Sequence, residues 1–235
     1  MLLFKSNQSR ALVLVFFYFL FVEIGLSASL VEQKKVMKNL ILAVDRGQWK
    51  TAEELSKSLN EPAVKTFISW VKLRKGFGSF RDYQFFLSNY SHWPGLQILR
   101  QKGEAKISKK TTPKEVITYF SNSQPSTGFG AICLIEAYQK IHDSDAAVRE
   151  IKRAWSELSL KKNEFNFFIT THGSLTVPFV NERSEFLLWN GMTREAKRLL
   201  PYLSKDTQAL AKARISLRQQ NYGEDVLIKN IAINE

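Results

Sequence analysis

Cysteine and histidine are scarce in this 235-residue chain, and their scarcity excludes several kinds of site. One cysteine, Cys133, cannot form an intrachain disulfide framework or a cysteine-rich zinc or iron–sulfur centre, and its apolar helix face predicts a buried structural thiol. The three histidines, His92, His142 and His172, lack HExxH-like spacing. We therefore expect each histidine in a loop or at the surface, and we predict no metal site and no cofactor.

Catalytic signatures are also missing from the sequence. It contains neither a GxSxG elbow nor a GxxxxGK phosphate loop, and the Gly-Phe-Gly triplets at 76–78 and 128–130 predict helix boundaries. Glycosidic cleavage needs a placed pair of carboxyl groups. Glu182 and Glu185 instead flank Arg183, an arrangement typical of solvated ion pairs. We predict no catalytic residue, and the ligand-binding residues remain unassigned.

Aromatic and basic residues are the chemistry that the sequence does offer. The five tryptophans stand among aliphatic residues at helical spacing, which favours packing between helices over stacking on sugar rings; they are Trp49, Trp70, Trp93, Trp155 and Trp189. Basic clusters such as Arg194 with Lys197 and Arg198 predict solvated helix faces unless the fold brings them together.

The first thirty residues are typical of a secretory leader. Two basic residues precede an unbroken apolar run from 11 to 22, and small residues follow it. That run is shorter than the roughly 18–20 residues of a membrane-spanning helix. We predict a signal peptide over 1–28, cleaved after Ser27 or Ala28. An uncleaved membrane anchor is the alternative.

The chain carries a strong excess of positive charge. Its formal net charge is +12, and removing a leader with two basic residues and one acidic residue would leave the chain almost as basic. Outside the cytoplasm such a charge favours a cell-envelope polyanion or a membrane face over nucleic acid. The alternative interpretation is that the charge only maintains solubility.

Apolar residues recur at helical spacing from Leu40 to Leu217, and neither a period-2 strand nor an Asn-Gly hairpin is apparent. Thr112-Pro113, with Glu115 behind them, form the start of a helix with a capping box. The pattern predicts an all-α chain of about ten to twelve short helices. Among them are helices over 128–140, 146–158, 163–170, 178–189, 192–203 and 210–219.

A weak internal repeat suggests how these helices are arranged. A turn, a small residue and then a large residue recur three times: 47–49 with Ala52 and Leu55, 143–145 with Ala147 and Ile151, and 191–193 with Ala196 and Leu200. Stacked helix-pair repeats have this pattern, although the period here is irregular. We predict a right-handed, degenerate tetratricopeptide-like superhelix of short antiparallel helix pairs over 29–220. A short tail, the start of a truncated linker, would occupy 221–235.

Several segments, taken in order, resemble the N-terminal superhelical region of the soluble lytic murein transglycosylases, periplasmic enzymes that cut peptidoglycan glycan strands. The most similar is Arg183-x-x-x-Leu187-Leu188-Trp189-x-Gly191, with Ala196-x-Arg198-Leu199-Leu200-Pro201 and Ala213-Arg214 after it. The earlier ones are Asp45-x-x-x-Trp49-x-x-Ala52, Trp70-x-x-Leu73, Phe86-Leu87-x-x-Tyr90-x-x-Trp93-Pro94, Gln124-Pro125-x-Thr127-Gly128-x-Gly130, Ala154-Trp155 and Leu175-Thr176.

The resemblance implies a U-shaped stack of helices in the periplasm and a role in peptidoglycan binding or turnover. In that family a lysozyme-like domain follows, with one catalytic Glu, usually before Ser. No Glu-Ser dipeptide occurs in this chain, and the stretch after the superhelical region is too short for such a domain. We therefore expect the superhelix without its catalytic residue.

Three functions follow from this combination. The chain would bind peptidoglycan strands, or it would derive from a split or truncated transglycosylase, either as one part beside a separate catalytic subunit or as a non-functional remnant. The third is a non-enzymatic protein-interaction scaffold of the cell envelope. We predict no nucleic-acid partner, and membrane contact only through an uncleaved leader.

Overall fold

The structure, a computed structural model, describes residues 28–220. The predicted leader, apart from Ala28, and the predicted tail lie outside these residues. Every regular element in 28–220 is a helix, so the predicted all-α class is confirmed. Of these helices, none is long and apolar enough to cross a membrane.

The described residues divide into two compact units, with the boundary between Lys75 and Gly76. The first unit contains α1 (Ala28–Asp45), α2 (Trp49–Leu59) and α3 (Pro62–Arg74). The second contains α4 (Phe80–Asn89), α5 (Leu96–Glu104), α6 (Pro113–Phe120), α7 (Gly128–Lys140), α8 (Ser144–Glu157), α9 (Lys162–Thr176), α10 (Val180–Trp189), α11 (Thr193–Leu199) and α12 (Lys205–Gln219). Short 3₁₀ turns, Val177–Phe179 and Leu200–Tyr202, precede α10 and follow α11.

Local sequence signals set many of these boundaries. The Thr112 hydroxyl accepts a hydrogen bond from the Glu115 N–H, and the Glu115 carboxylate accepts one from the Thr112 N–H at 2.9 Å, which is the predicted capping box at α6. The predicted helix over 128–140 has the observed bounds of α7. The predicted helix at 163–170 is too short. The observed helix α9 kinks at His172 and continues beyond the kink to Thr176.

The three repeated turns share one backbone geometry. Gly47, His142 and Gly191 have φ values of 71°, 62° and 72°, the left-handed conformation that commonly ends a helix. At each turn the next residue donates its N–H to the carbonyl five residues earlier, for example Gln48 to Ala43 and Met192 to Leu187, both at 2.8 Å. This hydrogen bond closes the helix end and fixes the direction in which the chain continues.

A buried alanine follows each of these turns by five residues. Ala52, Ala147 and Ala196 are all buried where one helix meets its neighbour. A methyl side chain lets two helix backbones approach closely, so the predicted pattern of a turn followed by a small residue is confirmed. Helices within each unit pack mainly on the next helix of the chain or the one after it, as helix-pair stacks do. The right-handed, U-shaped course stays a prediction.

A continuous apolar core of the second unit extends from α7 to α12. Trp155 of α8 is at its centre, 1% exposed and stacked on Phe165 with ring centroids 5.8 Å apart. Phe168, Leu187 and Leu199 belong to the same core and have almost no exposure. This core fixes α8, α9, α10 and α11 relative to one another, and the candidate site lies on its surface.

Candidate functional site

An open cleft of about 380 Å³ lies on the surface of the second unit. Its walls are the loop at 159–161 between α8 and α9, the turn at 191–193 between α10 and α11, and Gln219 at the end of α12. Three charged side chains of α11 complete the lining: Arg194, Glu195 and Arg198. The ends of five helices, α8 to α12, therefore meet at this surface.

Glu195 forms the base of the cleft and fixes the loop to α11. Its carboxylate accepts hydrogen bonds from the Ser159 hydroxyl and from the Leu160 N–H, the latter at 2.8 Å. The Arg183 guanidinium lies behind it, with Nη2 at 3.8 Å from Oε2. Both carboxylate oxygens are thus engaged, and the charge of Glu195 faces a cation on the core side.

Arg183 is 1% exposed, so the structure contradicts the prediction that it forms solvated ion pairs with Glu182 and Glu185. Its guanidinium donates to the carbonyls of Trp155 and Leu158, which end α8, and lies 4.5 Å from the centroid of the Trp155 ring. Burial lowers the pKa of Arg183 to about 10 while Glu195 opposes the shift, so the side chain remains charged at neutral pH.

Three cations therefore face the cleft opposite a single carboxylate. Arg198 is half-buried and donates from Nη1 to the Leu160 carbonyl at 2.7 Å, which orients its guanidinium. Lys161 and Arg194 are exposed and form no ion pair with any residue in 28–220. Because Arg183 already balances Glu195, the cleft presents a surplus of positive charge to solvent, which suits an anionic ligand.

The sequence identified only part of this cation set. Arg194 and Arg198 belonged to a predicted basic cluster, and α11 does place them on the cleft. Lys161 joins them from a loop more than thirty residues earlier, and Lys197 of the same cluster instead binds the Gln219 side chain at 2.9 Å. No pattern in the sequence links Lys161 to α11, because only the packing of α9 brings them together.

Buried carboxylates elsewhere in the second unit have structural partners. Glu104 is 1% exposed and accepts four hydrogen bonds from Ser126 and Thr127 at the start of α7. Glu164 accepts the Lys161 N–H at 2.7 Å. Glu150 binds Arg153 at 2.6 Å. Sequence reasoning had not singled out any of the three as buried.

The structure separates the histidines and the cysteine from the cleft. His92 and His142 are exposed in turns as predicted, whereas the surface prediction for His172 is wrong: it is 8% exposed, with its ring 5.1 Å from that of Phe167. Burial lowers the pKa of His172. Cys133 is half-buried rather than buried, and desolvation followed by nearby carboxylates raises the pKa of its thiol to about 12. Among residues 28–220, no group of three such ligands could hold a metal ion.

The tryptophans differ in how closely they meet the packing prediction. Trp70 and Trp155 are buried, and Trp49 and Trp93 are half-buried between helices. Trp189 is 73% exposed, so the prediction is wrong for this residue.

Comparisons with protein-family models, with curated proteins and with solved structures find no match for this chain. The resemblance to lytic transglycosylases therefore stays an expectation that rests on sequence motifs. The all-α fold and the basic cleft are the structural observations from which a function can be inferred.

Proposed function

We propose that the protein is a secreted, non-catalytic helical module that binds peptidoglycan in the periplasm. The observation that carries this proposal is the basic cleft, in which Lys161, Arg194 and Arg198 surround a single carboxylate. The leader-like N-terminus, the net charge of +12 and the resemblance to transglycosylase superhelical regions support the same interpretation.

Peptidoglycan suits a cleft of this chemistry because its peptide stems carry carboxylates along a repeating polymer. A guanidinium pairs with a carboxylate through two parallel hydrogen bonds, and two of the residues that line the cleft, Arg194 and Arg198, carry this group. Each exposed ion pair contributes only about 0.2–1 kcal/mol. Useful affinity therefore requires several contacts along one polymer, as stacked helices can offer.

Glu195 is poorly suited to act as the acid of a glycosidase. Such an acid must hold a proton and deliver it to a leaving oxygen. Here both oxygens of Glu195 already accept hydrogen bonds from Ser159 and Leu160, and Arg183 lies behind them. This arrangement supports a role in bracing the cleft rather than in chemistry.

Sedimentation with purified peptidoglycan sacculi tests the proposal. We expect the protein to pellet with sacculi and to be released by moderate salt, since exposed charges are screened within about 10 Å at 0.1 M ionic strength. The double variant Lys161→Gln/Arg194→Gln removes two unpaired cations of the cleft and should weaken binding by about three- to tenfold.

The matched control is Lys109→Gln/Lys110→Gln, which lowers the net charge equally at exposed positions outside the cleft. Equal loss of binding in both double variants would show that only net charge matters and would contradict the assignment of the cleft. Failure of the protein to pellet at low salt would overturn peptidoglycan binding and favour the scaffold function. Release of anhydro-muropeptides by the protein alone would overturn its non-catalytic character.

A further inference from the structure

We propose that Trp189 and the basic cleft together form a two-part site for an acidic sugar, with the sugar ring stacked on the indole and its anionic group bound by Arg194 and Lys161. This inference rests on the proposed function for the role of the cleft. Its new element is the aromatic subsite, which the tryptophan pattern in the sequence did not predict.

Trp189 is exposed, although the two residues before it in the same helix are buried. Leu187 and Leu188 are each 1% exposed in the core, whereas Trp189 is 73% exposed at the end of α10. Its large apolar side chain therefore contributes little to packing within 28–220. Flat aromatic faces of this kind bind the apolar faces of sugar rings, and the indole is the largest of them.

One arginine of α12 lies over the indole, and a second binds the backbone of the same residue. The Arg214 guanidinium lies 5.5 Å from the centroid of the Trp189 ring, and both oxygens of Glu185 bind it at 2.7 and 2.8 Å. Arg218 donates from Nη2 to the Trp189 carbonyl at 3.3 Å. These contacts hold the ring while leaving most of its surface in solvent, so a ligand would not have to order it on binding.

The aromatic subsite and the cleft share the turn between α10 and α11. Gly191 and Met192 line the cleft and follow Trp189 by two and three residues, a path of at most about 11 Å of extended chain. Arg218 also links them: its Nη1 lies 3.1 Å from the position that a Cβ on Gly191 would occupy. The turn therefore joins the two subsites within one short stretch of chain.

A titration of intrinsic tryptophan fluorescence tests the two-part site, with quenching by neutral acrylamide as a second readout. The acidic probe is N-acetylmuramyl-L-alanyl-D-isoglutamine, which has a sugar ring and a carboxylate. Triacetylchitotriose supplies rings without charge, glucosamine 6-phosphate replaces the carboxylate by a phosphate, and AMP offers an aromatic base with a phosphate. We expect a saturable change and protection from acrylamide with the muramyl peptide.

Variants then assign the signal to its residues. Trp189→Ala should remove the fluorescence change and weaken binding about five- to tenfold, while Trp189→Phe should retain part of the affinity. Phe85→Ala is the matched control, because Phe85 is an aromatic residue, 62% exposed, in the same unit, and we expect it to bind as the wild type does. Far-UV circular dichroism checks that each variant is folded.

Each outcome decides one part of the inference. Binding of the muramyl peptide that Trp189→Ala leaves unchanged would overturn the aromatic subsite, and equal binding of triacetylchitotriose would overturn the role of the cleft cations. If AMP bound more tightly than the muramyl peptide, the inferred ligand class, an acidic sugar, would be wrong and a nucleotide would take its place. If glucosamine 6-phosphate bound as tightly as the muramyl peptide, the two-part site would be supported, and its cationic part would accept either a phosphate or a carboxylate. Sacculi that pellet the wild type and Trp189→Ala equally would overturn this inference alone, whereas failure of the wild type to pellet would overturn the proposed function.

Discussion

The carboxylate of Glu104 binds the start of α7, and replacing it by the isosteric amide should destabilise the second unit. Oε1 accepts from the Ser126 N–H at 2.9 Å and from the Ser126 hydroxyl at 2.8 Å. Oε2 accepts from the Thr127 N–H at 2.9 Å and from the Thr127 hydroxyl. Glu104→Gln keeps the shape of the side chain but turns one of the two acceptor oxygens into a donor.

The cost follows from that exchange. One backbone N–H would face the new amide group and lose its partner, and a hydrogen bond to a charged group contributes about 1.5–3 kcal/mol. A hydroxyl can rotate to accept from the amide, which limits the loss on the side-chain donor. We expect Glu104→Gln to lower the free energy of unfolding by about 3 kcal/mol, or to lower the Tm by about 6–12 °C in a chain of this size.

Urea unfolding followed by far-UV circular dichroism measures this change. Glu136→Gln makes the same chemical exchange at an exposed position of α7 and should alter stability by less than about 0.5 kcal/mol. If the two variants unfolded at the same urea concentration, the hydrogen bonds to Glu104 would not be stabilising and the reasoning would be refuted.

Three further predictions concern other features of the described residues. Gly191→Ala should lower stability by about 1–2 kcal/mol, because an L residue is strained at φ 72°, while Gly173→Ala, where φ is not positive, should be neutral or stabilising in the same urea assay. Cys133 should react with iodoacetamide at pH 8 much more slowly than a free thiol until urea is added, since burial raises the pKa of its thiol to about 12 and leaves little thiolate; a rapid native reaction would contradict this. Burial lowers the pKa of His172 below its ordinary value of 6.5, so at pH values just under 6.5 the unfolded chain binds more protons than the folded one. The contribution of His172 to stability is therefore fully present above pH 6.5 and is lost as the pH falls toward the lowered pKa of the folded state. Between pH 7 and pH 5 the Tm should fall less for His172→Phe than for the wild type, whereas the exposed control His92→Gln should show the same fall as the wild type.

Local patterns in the sequence predicted the features that depend on neighbouring residues. The helix start at Thr112-Pro113, the bounds of α7 and the turns at Gly47 and Gly191 each follow from a few adjacent side chains, and the structure contains all of them. Capping and left-handed turns are local events, so a single sequence is sufficient to predict them.

Features that depend on packing were not predictable in the same way. Leu187, Leu188 and Trp189 are consecutive apolar residues, and since each residue advances a helix by about 100°, three in a row cannot all face the core. The sequence does not indicate which of them faces solvent. The burial of Arg183 and His172 likewise depends on the packing of α8, α9 and α10 in space.

The three left-handed turns restrict where this chain can gain or lose residues. Each turn places an alanine at the helix contact five positions later, and inserting one residue would rotate the next helix by about 100° and move that methyl group away from the contact. Length variation among descendants of this chain should therefore be excluded from 47–52, 142–147 and 191–196. It should accumulate in connections such as 108–111, which contain no buried residue.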